Sequence, residues 1–200
     1  GGDAQSLLDA GFAAAAEQHA RLRDFALSPA VRGLSERARQ RLDRVLPALL
    51  AACAGSSAPD SALPRGIALL QAIARRTSYL ALLDEQPVAL ARLVDATSRS
   101  ALIAERLAEH PLLLDELLDA RLASAVPDAT DLQARISHEL QALAPGDTEA
   151  ALSVLNEIRQ SVSFRIALLA LAQRQPARDS ARQLAVLAEG LLHATLGLAE

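Results

Sequence analysis

Four histidines are the side chains of this 200-residue sequence best suited to proton transfer or metal binding. Either use requires partner residues at a suitable spacing. None of the four has a second His or Cys one helical turn away, and His138-Glu139 lacks the histidine four residues on that a zinc protease helix contains. The sequence therefore predicts no metal ligands. The histidines are His19, His110, His138 and His193.

Three neighbouring carboxylates form the next candidate. Asp115 and Asp119 lie one helical turn apart, whereas Glu116 points in another direction. A solvated acidic face explains them better than a general acid and base pair. His110, just before Pro111, is interpreted as a helix C-cap, because an imidazole there can donate to unpaired carbonyl groups.

Arginines could bind anions at two places. Arg75 and Arg76 precede the only tyrosine, Tyr79, so an anion site is one interpretation. Exposed guanidinium groups on packed aliphatic stems are the simpler one. Arg159 and Arg165 lie on one predicted helix, and for them a carboxylate partner on a neighbouring helix is as compatible with the sequence as exposure to solvent.

Composition excludes several classes of function. A formal net charge of −4 and an aromatic share of 2% provide neither a basic surface nor stacking platforms for nucleic acid. No apolar run is long enough for a membrane span, and no signal peptide is expected. The single cysteine, Cys53, lies in an apolar helix end and is expected to pack there, which suits a reducing cytoplasm.

Helical patterns must position these side chains. A core rich in Leu and Ala favours helices over sheets. Apolar spacing predicts an all-α bundle of about eight helices, beginning with one helix over residues 4–23. Ser35 is placed to cap the next helix, in which Pro47 predicts a kink near Asp43.

Proline and small polar residues divide the middle of the chain. Residues 55–64 predict a loop, after which one helix runs from Pro64 to residue 83. The end of this helix is the first of four helical pieces between Arg75 and Asp119, two of which start at prolines. Ser98 or Ser100 is placed to cap the piece that buries Leu102, Ile103 and Leu107.

Two longer patterns complete the bundle. Thr130 is placed to cap a helix that stops at Pro145-Gly146, and Asp147 or Thr148 then begins a helix of about 26 residues, or about 39 Å. The last helix is expected to start at Asp179 or Ser180, and the two long helices predict an antiparallel hairpin. Its apolar residues repeat near a heptad spacing at Leu184, Leu187, Leu191, Ala194 and Leu198.

Two central segments, RRTSYLALLDEQPVALARLVD and LAEHPLLLDELLD, resemble the region between the catalytic domains of the bacterial glutamine synthetase adenylyltransferase family. The segment LSERARQRLDRVLPALLAA is similar to the helix preceding that region. NEIRQSVSFRIALLAL is similar to the helices that lead into the second catalytic domain. The resemblance covers nearly the whole chain, with modest departures at Ser163-Phe164 and Leu168.

The resemblance implies a fragment of a bifunctional enzyme that transfers AMP from ATP to a tyrosine of glutamine synthetase and removes it by phosphorolysis. Control by the PII signal protein and glutamine is implied as well. In the family, each catalytic domain has a Gly-rich turn and an Asp-x-Asp pair that holds magnesium against ATP. Neither occurs between Gly1 and Glu200. We therefore expect no catalytic, cofactor-binding or metal-binding residue in this chain, and a fragment that is cytoplasmic, monomeric and inactive alone.

The predicted organisation is a helical connector in residues 1–126 and a helical lead-in to the second catalytic domain in residues 127–200. The two are expected to pack as one unit or as two small bundles. The alternative is a freestanding interaction module that binds a partner helix in an apolar groove. An enzyme with a site inside the bundle is disfavoured, because no Glu-x-x-His ligand pattern is present.

Overall fold

The computed structural model describes residues 3–118, 126–144 and 146–198, and every regular element in these ranges is an α-helix. The predicted all-α class is confirmed. The described residues form twelve helices instead of about eight, because two expected helices each divide in two and a short helix at Pro29–Arg32 was not expected. The helices are α1 (Ala4–Asp9), α2 (Ala15–Ala26), α3 (Pro29–Arg32), α4 (Glu36–Ala54), α5 (Pro59–Ile73), α6 (Thr77–Glu85), α7 (Pro87–Arg99), α8 (Ala101–Glu109), α9 (Leu113–Leu118), α10 (Ala129–Gln141), α11 (Thr148–Leu171) and α12 (Ala177–Gly197).

The chain divides into two compact units, residues 1–114 and 115–200. Helices α1 to α8 belong to the first unit and α10 to α12 to the second, while α9 begins in the first and continues in the second. The boundary follows Leu114, whereas the predicted roles divided the chain after residue 126. The assignment of a connector and a lead-in to these parts stays a prediction.

Helices α4 and α5 form the centre of the first unit. Helix α4 contacts α5, α6 and α7, and α5 also contacts α2, α7 and α8. Their close approach depends on Gly66, because a Cβ atom there would lie 3.0 Å from Cδ1 of the fully buried Leu49. Ser35 caps α4 as predicted, by accepting from the N–H of Ala38. The helix continues through Pro47, as expected for one element, and its kink stays a prediction.

The expected single helix over residues 4–23 is wrong. Gly11 separates α1 from α2 with a φ of +99°, a left-handed conformation that glycine adopts without a Cβ clash. The N–H groups of Ala13 and Ala14, just before α2, donate to the two carboxylate oxygens of Asp60, each at 3.0 Å. A cap supplied from so far along the chain leaves no local sequence signal.

The loop expected at residues 55–64 is shorter in the structure, because α5 begins at Pro59 rather than Pro64. Pro59 occupies the first turn, where its missing N–H would have no partner in any case. Pro64 lies inside α5 and cannot donate to the carbonyl of Asp60 one turn earlier. Nε2 of the buried Gln18 donates to that carbonyl instead, at 3.0 Å. This tertiary contact makes the second proline compatible with the helix.

Four helical pieces lie between residues 75 and 119 as predicted, and they are α6 to α9. The helix expected from Pro64 to residue 83 nevertheless breaks at Arg76, whose φ and ψ of −99° and 87° are not helical. The break separates α6 from α5. Helix α6 contacts α4, where Arg44 binds Asp84 and Arg41 donates to the Thr77 carbonyl.

Helix α8 buries two of the three apolar residues expected to face inward. Ser100 caps it by accepting from the N–H of Ile103 at 3.3 Å, which settles the choice between the two serines. Ile103 and Leu107 are buried, but Leu102 is 56% exposed. Leu102 lies about 140° around the helix from Leu107 and about 160° from the buried Ala104, so it falls outside the inner face.

Helices α10, α11 and α12 enclose one apolar core in the second unit. Asp147 caps α11 as predicted, by accepting from the N–H of Ala150 at 2.9 Å. Asp128 rather than Thr130 caps α10, because Asp128 immediately precedes the first helical residue and accepts from the N–H of Asp131. Pro145 lies outside the described residues. The buried core residues are Val126, Leu132, Ile136, Leu155, Ile158, Val162, Ile166 and Leu187.

The two long helices contact each other and are joined by residues 172–176. Helix α11 ends as Gln173 adopts a positive φ of 54°, and α12 starts at Ala177, two residues before Asp179. Their antiparallel arrangement stays a prediction. Leu184 is 45% exposed, so the expected apolar seam is wrong at that position. Among the described residues, no helix is both long and apolar enough to cross a membrane.

Candidate functional site

A carboxylate of α9 and two side chains of α11 form the most developed polar cluster of the second unit. Oε1 of Glu116 accepts from the Ser161 hydroxyl at 2.5 Å, and Oε2 accepts from a terminal nitrogen of Arg165 at 2.8 Å. The side chains of Glu116 and Arg165 are 18% and 21% exposed. We refer to Glu116, Ser161 and Arg165 as the Glu116 cluster.

The local sequence of α11 accounts for its half of this cluster. Ser161 and Arg165 are four residues apart, so both project from one face of the helix. Ile158 and Val162 on the adjacent face are buried in the core, which fixes the rotation of the helix. Glu116 therefore meets a hydroxyl donor and a guanidinium on consecutive turns.

Chemically, the Glu116 cluster is an ion pair with an added hydroxyl donor. Each carboxylate oxygen already has a protein partner, and charge-assisted bonds of this kind are about twice as strong as neutral ones. The buried Nε of Arg165 has no acceptor among the described residues. The arrangement ties two helices together across 49 positions of sequence.

These contacts correct part of the expected acidic face. Asp115 is exposed, but Glu116 is mostly buried and paired, and Asp119 lies outside the described residues. The two arginines of α11 differ. Arg165 reaches the carboxylate, whereas the guanidinium of the exposed Arg159 donates to the side-chain oxygen of the nearby Asn156, at 2.8 Å.

The four histidines belong to different helices or helix ends. His138 and His193 are exposed, while His110 is partly buried at the C-cap of α8. The backbone N–H of His110 donates to the Arg106 carbonyl at 2.9 Å. His19 lines a cleft of about 430 Å³ between α2 and α4. No group of three His, Cys, Asp or Glu residues suited to a metal ion occurs in the described part of the chain.

Arg75, Arg76 and Tyr79 do not form a common anion site. Both arginines are exposed, whereas Tyr79 is 8% exposed and packs in the first unit. The backbone of Arg76 supports the start of α6, because its carbonyl accepts from the N–H of Tyr79.

Two arginines that the sequence did not single out connect helices in the first unit. Arg65 of α5 donates to the carbonyls of Thr97 and Ser98 at the end of α7, at 2.7 and 3.0 Å. Arg44 of α4 binds the Asp84 carboxylate of α6 through two nitrogens. Its hydrogen bonds lower the pKa of Asp84 below the ordinary value. The contact of the Arg65 guanidinium with the end of α7 joins residues far apart in sequence, so it has no short-range sequence signature.

A family model described as glutamate-ammonia ligase adenylyltransferase matches residues 90–199. The match covers more than half of the chain. The chain belongs to this family. The whole Glu116 cluster lies inside the matched range, as do α8 to α12.

Adenylyltransferase relatives match the chain from end to end. Bifunctional glutamine synthetase adenylyltransferase/adenylyl-removing enzymes of Xanthomonas axonopodis pv. citri and Stenotrophomonas maltophilia strain K279a are 57% and 56% identical, over 99% and 100% of this chain. The Pseudomonas aeruginosa enzyme of the same name is 36% identical over 98% of it. The chain spans only 21%, 21% and 20% of these relatives. It thus corresponds to about a fifth of the length of each relative.

Cys53 is fully buried, and burial raises the pKa of its thiol from 9.0 to about 12. At pH 8 the thiolate fraction falls from about one-tenth to about 10⁻⁴, so native Cys53 should react with iodoacetamide about a thousandfold more slowly than in the unfolded chain. Because the folded pKa is the higher one, the thiol contributes its full stability below pH 9 and loses it between pH 9 and 12. Equal alkylation rates in buffer and in urea would contradict this burial.

Proposed function

We propose that the chain is a non-catalytic helical connector within a bifunctional enzyme that adenylylates and deadenylylates glutamine synthetase. The observation that carries this proposal is the coverage of the relatives. The chain matches along its full length, at 56 and 57% identity, proteins whose names give both activities, yet it accounts for 21% of each.

The use of the polar side chains supports a structural role. Asp60 caps α2, Arg65 binds the end of α7, and Glu116 pairs with α11. A group already occupied by protein partners must break those contacts before it can meet a substrate. These side chains thus hold helices in place, and the reacting groups belong to the other four-fifths of the longer enzyme.

In this proposal the longer enzyme uses Mg-ATP as the AMP donor and glutamine synthetase as the protein substrate. As the family resemblance implies, it is controlled by PII and glutamine in the cytoplasm. The 200-residue chain contributes the spacing between two catalytic domains, with residues 1–126 as the connector and residues 127–200 as the lead-in to the second domain. By itself the segment is a monomer.

The test uses the longer gene product that contains this chain. We expect it to transfer AMP from Mg-ATP to glutamine synthetase, and to release the AMP as ADP when phosphate is supplied, both followed by the mass of the glutamine synthetase subunit. A product that catalyses neither reaction would contradict the proposal. A His110→Asn variant should keep AMP transfer within about twofold, because general acid and base residues usually contribute about 10²-fold or more.

A further inference from the structure

Helix α12 is apolar on two sides, and among the residues that the structure describes only one side is covered. Toward the core, Leu187 is buried, and Leu191, Ala194 and Leu198 pack against the same cluster. On the other side, Leu184, Leu192 and Leu196 are 45%, 59% and 57% exposed. These three positions and Ala188 recur every four residues and so share one face. We call Leu184, Ala188, Leu192 and Leu196 the outer stripe.

The charge pattern of α12 indicates that the outer stripe is covered in the working protein. Between Gln183 and Leu198 the only charged residue is Glu189. A surface helix normally opposes its buried face with a charged one, whereas a helix that is apolar nearly all round is buried on both sides. A contiguous row of exposed leucines typically marks an interaction surface.

We infer that the outer stripe packs against an apolar face of the longer enzyme that lies outside these 200 residues, an inference that rests on the proposed function. About four-fifths of each relative falls outside the matched region, and the family model extends to residue 199, past the end of the stripe. A tethered partner gains from its high effective concentration, so a small apolar patch is sufficient for docking.

Two other occupants fit the stripe less well. A membrane surface attracts helices with a basic polar face, but the charges of α12 balance, with Arg178 and Arg182 against Asp179 and Glu189. A second copy would have to build a stable dimer, which usually buries about 800 Å² per partner. Four side chains on one helix offer a much smaller surface.

Site-resolved alkylation of the longer gene product tests the inference. Leu192→Cys places a thiol in the outer stripe, and His193→Cys places a matched thiol on the adjacent polar face, where His193 is exposed. In the longer product we expect the thiol at position 192 to react roughly tenfold more slowly than the one at 193, since a covered site reacts only through local opening. In the 200-residue chain the two should react at similar rates.

Equal rates at positions 192 and 193 in the longer product would overturn the inference. So would slow reaction at 192 in the 200-residue chain that depends on concentration, because that result indicates a second copy. As an independent measurement, Leu192→Glu should lower the melting temperature of the longer product and leave that of the 200-residue chain unchanged. An unchanged melting temperature in both proteins would also overturn the inference. Neither measurement uses AMP transfer, so failure here is distinct from failure of the proposed function.

Discussion

Replacing Glu116 by Ala is expected to lower the free energy of unfolding of this chain by about 2–3 kcal/mol. The change leaves the mostly buried guanidinium of Arg165 and the hydroxyl of Ser161 without their shared acceptor. Both Glu116→Ala and Glu116→Gln leave the charge of Arg165 without a counter-charge. Glu116→Gln should be the milder change, because the amide keeps one acceptor oxygen. Urea unfolding followed by far-ultraviolet circular dichroism measures the free energy of unfolding of both variants.

A double replacement distinguishes two causes of the loss of stability: loss of the Glu116–Arg165 interaction, and burial of the Arg165 charge without a partner. Glu116→Ala combined with Arg165→Met should recover to within about 1 kcal/mol of the unmodified chain, because apolar groups can substitute for a buried pair.

Glu17→Ala is the matched surface control. Its partner Arg21 is 48% exposed, and loss of such a pair should change stability by less than about 1 kcal/mol. If Glu116→Ala behaves like Glu17→Ala, the structural role of the cluster is wrong.

Replacing Asp60 by Ala should lower the free energy of unfolding by about 2–4 kcal/mol, from the loss of several charge-assisted bonds at once. Its carboxylate accepts from the N–H groups of Ala13 and Ala14, and Oδ1 also lies 3.4 Å from Nε2 of Gln18. Without Asp60, α2 loses the side-chain cap that α5 supplies. Thermal and urea unfolding of the variant give the measurement.

The control is a cap of the ordinary local kind. Asp128 accepts one backbone N–H at the start of α10 and is exposed, so Asp128→Ala should lower stability by about 1 kcal/mol. Asp60→Asn should fall between Asp60→Ala and the unmodified chain, because an amide supplies one acceptor oxygen. A loss no larger for Asp60→Ala than for Asp128→Ala would show that the long-range cap contributes little.

Local signals were sufficient for much of the helical architecture. Ser35 was predicted as a cap, and Ser100 and Asp147 were each one of two predicted alternatives, because a capping side chain bonds three residues ahead, within a short window of sequence. The aliphatic composition likewise indicated the all-α class. What these positions share is that the bonds they make are local.

Contacts between distant residues were not predictable in this way. Asp60 caps a helix that begins 45 residues earlier, since α2 starts at Ala15. Nε2 of Gln18 donates to the backbone carbonyl that Pro64 leaves without its helical N–H donor. The sequence indicated Pro64 as a helix start, but this proline lies inside α5. A carboxylate partner for Arg165 on a neighbouring helix was one of two open interpretations, but the sequence did not indicate Glu116, because only the fold brings these two residues together.

Periodicity also failed where a helix is apolar on more than one side. In α12, Leu184 fits a heptad with Leu187 and Leu191, yet it faces outward. The same ambiguity applied to Leu102 in α8. When Leu and Ala occur on several sides of a helix, the buried face is decided by neighbouring helices rather than by the pattern.

The most direct test of the central claim is AMP transfer by the 200-residue chain itself. The purified chain is incubated with glutamine synthetase and Mg-ATP, with the longer gene product assayed in parallel. If the chain supplies helices and spacing but no reacting groups, the longer product modifies glutamine synthetase and the chain alone leaves its mass unchanged. AMP transfer by the chain alone, above a reaction without it, would contradict the account.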